Sequence, residues 1–241
     1  MMNIKDVRKY FIDALANEEF VIDKTGVKTI ELVGSSFIAD EPMIFGEPNK
    51  DYIKREIQWY ESGSLNVNDI PDGPPAIWKQ VADKDGYINS NYGYLINAAN
   101  NGDQYRNTML ELAKNPNSRR AIMIYTRPSM HRDYNYNGRS DFICTNTVQY
   151  VIRDNFLHAI VNMRSNDAWA GFRNDKAWQD YVLKKLAKDL NIKVGIMYWQ
   201  TGSLHLYEKD FYLIDYYSKT GELSIKKSEY RDLYPNSDFA K

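Results

Sequence analysis

Residues 145–163 leave this chain few choices. Thr145 to Arg153 is a run rich in β-branched residues, Phe156 to Met163 is a second apolar run, and only Asp154-Asn155 separates them. Two such runs joined by two turn-forming residues predict an antiparallel β-hairpin. Around it, Ala121 to Tyr125 reads as a short strand, and Val27 to Ala39, after a Thr25-Gly26 turn, as a long one. A further strand is expected from Val194 to Tyr207, with a bulge at Gly202. Helical spacing appears elsewhere. Ile4, Val7, Phe11 and Leu15 follow a possible N-cap, Asn3; Ile53, Glu56, Ile57 and Tyr60 stop at Gly63. Tyr105, Met109 and Leu112 end at Asn115-Pro116, and Trp178, Val182, Leu186 and Leu190 mark another amphipathic helix. Strands in runs, with helices between them but no regular βαβ alternation, predict an α+β fold.

Composition narrows the function classes. The hydrophobic share is 43%, the charged share 26% and the net charge −1, with basic residues scattered, so a general nucleic-acid surface is not expected. No apolar stretch reaches the roughly 18 residues of a membrane span, and the N-terminal residues lack a signal-peptide pattern, so a soluble, cytoplasmic protein is expected. One cysteine excludes an internal disulfide. The 19 tyrosines are expected to pack their rings in the core while their hydroxyls find partners. No repeat, low-complexity tract or linker interrupts residues 1–241, which predicts one domain.

Several motifs are absent. There is no phosphate-binding Gly-rich loop, no dinucleotide fingerprint and no His-Glu-x-x-His, and the three histidines are far apart. A resident metal is not expected. Cys144, at the start of a strand, is either a small buried hydrophobe or a thiolate nucleophile, and the latter needs a nearby cation. Ser118-Arg119-Arg120 and Arg164-Ser165 each set a hydroxyl beside a guanidinium, a pattern that is either solvated or suited to a phosphate. Glu56 falls on the apolar stripe of its helix, so it is either an edge residue or a buried carboxylate that holds water or relays protons. Asn174 and Asp175, before the Trp178 helix, have N-capping as their default role. His205 and Tyr207 share one strand face. Spacing alone leads no further than an α+β enzyme that binds a phosphate.

Taken in order, these segments resemble the thymidylate synthase superfamily. The resemblance covers nearly the whole chain and runs through Asp23-Lys24-Thr25-Gly26, Arg55-Glu56-Ile57-Gln58-Trp59-Tyr60, Asn91-Tyr92-Gly93, Asn117-Ser118-Arg119-Arg120, Asn162-Met163-Arg164-Ser165-Asn166-Asp167 and Ser203-Leu204-His205-Leu206-Tyr207. Residues 124–130, 144–150 and 171–175 are similar to the branch that hydroxymethylates deoxycytidylate in phages. The fold this implies is a large mixed β-sheet flanked by helices.

The resemblance implies a folate-dependent one-carbon transferase. dCMP, 5,10-methylenetetrahydrofolate and water would give 5-hydroxymethyl-dCMP and tetrahydrofolate, for modified phage DNA, through a bond from Cys144 to C6 of the base. It also implies that Lys24, Arg119, Arg120, Arg164, Ser165, Asn166, His205 and Tyr207 bind the nucleotide. Arg119 and Arg120 would come from the other subunit of a homodimer. Glu56, Tyr92 and Asp167 would order water, move the C5 proton and meet folate, with Trp78 also on the folate side. No metal, nucleic acid or membrane partner is implied.

The chain departs from the synthase pattern in four places. Lys24 replaces an arginine, Ile143 and Thr145 flank Cys144 in place of proline and histidine, and Val81 replaces the second tryptophan of a pair that begins at Trp78. Asp175 stands where synthases place the asparagine that reads uracil. A protonated carboxyl donates through O–H and accepts through C=O, the pattern cytosine needs, and a proton shared with N3 would assist attack at C6. The alternatives are a dUMP-specific thymidylate synthase, a dUMP hydroxymethylase, and a silent nucleotide-binding scaffold. The synthase terminus is apolar and closes over folate, whereas this chain ends Phe239-Ala240-Lys241.

Overall fold

The computed structural model describes residues 1–240, and the terminal Lys241 lies outside the described residues. In chain order the elements are β1 (Met2–Asn3), α1 (Ile4–Ala16), β2 (Val21–Ile22), β3 (Lys28–Ile38), α2 (Lys50–Ser62), α3 (Ala76–Val81), α4 (Tyr92–Asn97) and α5 (Gln104–Lys114). There follow β4 (Ile122–Ile124), α6 (Met130–Asp133), β5 (Thr145–Arg153), β6 (Phe156–Asp167), α7 (Ala170–Asp189), β7 (Lys193–Tyr207), α8 (Phe211–Thr220) and α9 (Lys227–Leu233). Seven strands form one sheet in the order β1-β3-β7-β6-β5-β4, with β2 also on β3. β1 runs parallel to β3, whereas β3 with β7, β4 with β5 and β5 with β6 are antiparallel, so the sheet is mixed. The α+β expectation holds.

By contacts the chain divides into two compact units. The first comprises residues 1–48, 165–177 and 197–241, and the second residues 49–164 and 178–196.

In the first unit, α1 starts where Asn3 Oδ1 accepts from the Asp6 amide and Asp6 accepts from the Asn3 amide, a reciprocal cap at the expected residue. Its stripe of Ile4, Val7 and Phe11 is fully buried, and Phe11 meets Phe45 edge to face at 5.8 Å. Phe172 lies between Phe37 at 6.0 Å and Trp199 at 5.1 Å. β3 and β7 keep one register throughout, with Val33 opposite Ser203 and Ser35 opposite Thr201. No residue is therefore inserted at Gly202, and the expected bulge there is absent. The departure falls on Gly34 of the partner strand, whose φ of +65° suits a residue without Cβ.

In the second unit, α2 is capped by Asn49, whose side chain accepts from the Tyr52 amide, and it ends at Gly63 with φ +67°. The β5–β6 hairpin forms with Arg153 opposite Phe156 and with Asp154 and Asn155 both at positive φ, as the two-residue turn demands. A bulge does occur here. Thr145 faces Met163 but Thr147 faces Asn162, so Asn146 is the extra residue, two positions beyond Cys144. The tyrosine surplus is used as expected. Tyr60 stacks on Tyr92 at 5.3 Å and meets Trp178 at 5.0 Å, Tyr92 meets Tyr125 at 5.3 Å, and the Trp178 indole N–H donates to the Tyr125 hydroxyl. The Tyr150 hydroxyl is the exception, buried without a hydrogen-bond partner. Among the described residues, no helix is long and apolar enough to cross a membrane.

Candidate active site

Most of the residues singled out from the sequence fall into small clusters, each within one unit. In the second unit, Cys144 occupies the half-buried position just before β5. The backbone of Arg164 donates to the Cys144 carbonyl at 2.9 Å, which fixes the end of β6 beside it. The Arg164 side chain then turns onto the same loop. Nε donates to the Ile143 carbonyl at 2.9 Å, Nη2 to the Phe142 carbonyl at 2.6 Å, and Nη2 also lies 3.5 Å from the Cys144 sulfur. The guanidinium rests over the Phe142 ring at 4.8 Å, which shields it from solvent without neutralising it. A cation held this way can stabilise negative charge on sulfur. The bulge at Asn146 has a related effect: the Asn146 carbonyl accepts from the Tyr125 amide, so the segment after Cys144 is anchored on its other side.

Glu56 is buried on α2, which decides between the two readings its place on the apolar stripe left open. It accepts from the Tyr52 hydroxyl at 2.5 Å and from the Trp78 indole N–H at 3.1 Å, and that N–H also lies 2.8 Å from the Tyr52 oxygen. Burial pushes the Glu56 carboxyl up from its ordinary range, opposed by the two donors. A carboxylate poised in this way can pass a proton or hold a water. Tyr52 was missed in the sequence, although its position one helical turn before Glu56 was readable. Trp78 meets Trp59 edge to face at 5.3 Å, and Tyr92 is buried at the start of α4. Arg119 and Arg120 are exposed on the loop before β4, where the Arg119 carbonyl accepts from Gln149 and Arg120 is 3.7 Å from Glu111.

In the first unit, Ser165, Asn166 and Asp167 end β6, and α7 follows after a short turn at Ala170. Asn174 and Asp175 therefore lie inside α7, not ahead of it, and the capping role expected for them is corrected. The helix starts earlier than the Trp178 periodicity showed because its first turns carry a single large apolar residue, Phe172, among polar and small ones. Asn166 is 3% exposed and donates from Nδ2 to Asp175 Oδ2 at 2.8 Å. Asp167 accepts from the Trp169 amide at 2.8 Å, and burial raises its carboxyl above the usual range against that donor and the charges of His205 and Lys209. His205 and Tyr207 stand edge to face at 5.1 Å, with Ser203 Oγ 3.3 Å from His205 Nδ1. Lys24 is exposed at the tip of a turn held by Asp23, whose carboxylate accepts from the Thr25 and Val27 amides.

Two further features had no sequence signal. The Arg173 guanidinium stacks on Trp169 at 5.0 Å, and a Cβ on Gly46 would fall 2.5 Å from the Trp169 indole nitrogen. Asp210 is buried with no hydrogen bond to Oδ2, which lies 4.0 Å from the Lys209 ammonium, and burial pushes its carboxyl up to about 6 against that charge. Among the described residues, no cluster of three or more His, Cys, Asp or Glu side chains could hold a metal ion.

A thiol beside a guanidinium, a buried carboxylate with two donors and an amide–acid pair are parts shared by many enzymes. The thymidylate synthase family model, however, matches residues 12–227 in order. The chain belongs to the thymidylate synthase family. Within that family it is similar to the deoxycytidylate 5-hydroxymethyltransferase of Enterobacteria phage T4, at 55% identity over 240 residues, covering 97% of this chain and 98% of that protein. The proteins of the same description from phages T6 and T2 are each 56% identical, over 237 and 236 residues, covering 95% of this chain and 96% of theirs.

Proposed function

We propose that this member of the family is a deoxycytidylate 5-hydroxymethyltransferase, converting dCMP, 5,10-methylenetetrahydrofolate and water to 5-hydroxymethyl-dCMP and tetrahydrofolate. The observation that carries the reading is the 55% identity to the phage T4 enzyme of that description over almost the full length of both chains. Such a product serves phage DNA modification, made in the host cytoplasm. The family match spans both compact units, which supports reading residues 1–241 as one functional domain.

The Cys144 thiolate attacks C6 of the pyrimidine, and the electron pair of the 5,6 double bond moves to C5. Arg164, at 3.5 Å, supports the charge on sulfur before attack. Asp175 shares a proton with N3 and receives the C4 amino group, so the ring can accept charge as the sulfur adds. C5 would take up the one-carbon unit from the folate and give up its proton, which Glu56 and Tyr92 help to carry away through ordered water, and tetrahydrofolate would leave with the electron pair of its bond to that carbon. Water then adds to the exocyclic methylene, and expulsion of the Cys144 thiolate restores the ring. Arg164 and Ser165, with Lys24, bind the nucleotide phosphate, Asn166 lies with Asp175 at the base, and His205 and Tyr207 hold the deoxyribose.

Trp78 and Asp167 fit a folate. Trp78 is a half-exposed indole whose N–H is already tied to Glu56, which leaves its ring for stacking, and Asp167 is a carboxyl raised toward its protonated form that suits the amide edge of a pterin. Folate supplies the electrophilic carbon.

Arg119 and Arg120 support a homodimer in which each site borrows them, since both side chains are exposed and Arg120 has only a long contact to Glu111. Mixed Cys144→Ser and Arg120→Ala chains should then regain activity, because a heterodimer holds one site with both defects and one with neither. No rescue, with heterodimers shown to form, would place the arginines in their own chain's site. The reaction itself is tested by incubation with dCMP and methylenetetrahydrofolate, with mass analysis of the nucleotide and absorbance of the folate. Hydroxymethyl-dCMP with tetrahydrofolate is expected. Methylated product with dihydrofolate, or turnover of dUMP alone, would overturn the reading.

A further inference from the structure

Cys144 ends a stretch that no ladder holds. Residues 139–144 belong to no helix or strand, yet a sulfur that attacks a ring carbon must lie within about 0.5 Å of its productive place. Such a stretch is fixed when each of its ends is gripped. The downstream grip is Arg164, whose side chain and amide take the carbonyls of Phe142, Ile143 and Cys144. The upstream grip is Asp141, three residues before the nucleophile.

Asp141 is 7% exposed, and its side chain bonds to residues 51 and 52 positions away. Oδ2 accepts from the Asn89 amide at 2.6 Å and from the Ser90 amide at 2.8 Å, and Oδ1 accepts from the Ser90 hydroxyl at 2.6 Å. Backbone amides only donate, so Oδ2 is an acceptor in either protonation state of the acid. Asn89 closes the clamp from the other side. Its Nδ2 donates to the Asp141 carbonyl at 3.1 Å, and its Oδ1 accepts from Arg139, which also donates to Asp83 at 2.9 Å. Ser90 leads into α4, where Asn91 accepts from the Tyr94 amide at 2.8 Å and donates to the Trp59 and Ser64 carbonyls at 3.0 and 2.8 Å. Trp59 lies three residues after Glu56 on α2. One chain of bonds, all inside the second unit, thus runs from the Cys144 loop to the start of α4, which carries Tyr92, and on to α2, which carries Glu56.

We propose that Asp141 is a positioning residue for the nucleophile: by gripping residues 89 and 90 it holds Cys144 in place relative to Tyr92 and Glu56. It acts through those groups. A loop displaced by one ångström would cost about 10² in the covalent step, while the residues that bind the nucleotide on other elements keep their hold. The inference rests on the proposed role of Cys144 as the attacking group.

The test counts turnover per dCMP-binding site, so that unfolded chains drop out. Asp141→Ala removes all the side-chain bonds to residues 89 and 90. Its kcat per site should fall by about 10², with the dCMP dissociation constant within about threefold of wild type. Asp141→Asn can still accept from the two amides and meet Ser90 through its amide group, so it should recover to within about tenfold of wild type. Hydrogen exchange at C5 of dCMP in D₂O, followed by NMR without folate, isolates the covalent step. There the thiolate adds to C6, C5 takes a deuteron and gives up its proton, and the thiolate leaves, so exchange should fall in step with kcat. A merely structural role would lower the number of sites and leave both rates per site unmoved. Full turnover per site in Asp141→Ala, or Asp141→Asn no faster than Asp141→Ala, overturns the proposal. So does a dCMP dissociation constant that rises as far as kcat/KM falls. If Asp141→Ala does not fold, Ser90→Ala decides: losing the hydroxyl donor alone should lower kcat per site by about fivefold, and no change overturns the proposal. Cys144→Ser separates the two levels. With that variant inactive, these failures fall on Asp141 alone, whereas turnover by it removes the nucleophile itself.

Discussion

The surroundings of Cys144 in the second unit and of Asp175 in the first are built on different principles. Around Cys144 the organising group is a charge: Arg164 grips two backbone carbonyls, rests on Phe142 and brings Nη2 to 3.5 Å from sulfur. Around Asp175 it is the direction of one hydrogen bond, from Asn166 to Oδ2. Charge acts over several ångströms and tolerates small displacements, whereas a donor–acceptor pattern is lost as soon as one end is reversed. Damage to the first region should therefore slow every substrate. Damage to the second should change which substrate is used.

The largest effect is expected at the sulfur. Cys144→Ser should fold normally and lose roughly 10⁵ in turnover, since an unactivated hydroxyl is a far poorer nucleophile near pH 7. Near-normal turnover would remove the nucleophile and the contrast with it. Next, Asp175→Asn should move the dCMP-to-dUMP ratio of kcat/KM toward dUMP by up to about 10⁴, because the amide presents the pattern uracil needs. An unchanged ratio would place base reading elsewhere.

Arg164→Lys sharpens the same distinction. It keeps the charge but loses the fork that holds the Ile143 and Phe142 carbonyls, so kcat/KM should fall by about 10² for dCMP and dUMP alike. A change in their ratio would show that the two regions are not separable.

The smallest effect concerns stability. Glu56 has two donors, whereas Asp210 Oδ2 has no hydrogen bond and only the Lys209 ammonium at 4.0 Å, and burial raises its carboxyl to about 6. The unfolded chain gives up that proton near pH 3.9. Between about pH 4 and about pH 6 the folded state thus binds more protons than the unfolded one, so Asp210 lowers stability as pH rises through that window, and the loss is complete above it. Asp210→Asn should remove this slope and gain on the order of 1 kcal/mol over the wild type at pH 7. Denaturant melts at pH 4, 5, 6 and 7 would show it. Parallel pH profiles for the two proteins would mean that Asp210 is compensated in the fold.

Much of this was readable before folding. The Asp154-Asn155 turn and the stop of α2 at Gly63 follow from local spacing, whereas spacing left Glu56 either at an edge or buried. The start of α7 did not, since residues 170–175 carry no apolar period. Nor did the bulge: Gly202 looked like the weak point of its strand, yet the inserted residue is Asn146, which has no sequence mark of its own.

By itself the sequence determined the strands β3 to β7, the helices α1, α2 and α5, the body of α7 and, through its ordered motifs, the family. Those properties arise from contacts within one helical turn or one strand period, where chain neighbours decide the outcome. Only the tertiary structure decided that Trp78 would donate to Glu56, that Arg164 would hold the carbonyls of Phe142 and Ile143, and that Asn166 would donate to one particular oxygen of Asp175. In those pairs the partners lie 22, 21 or 22, and 9 residues apart. Which donor meets which acceptor at such separations depends on strand register and on where a helix begins, and a shift of one residue in either would exchange the partners.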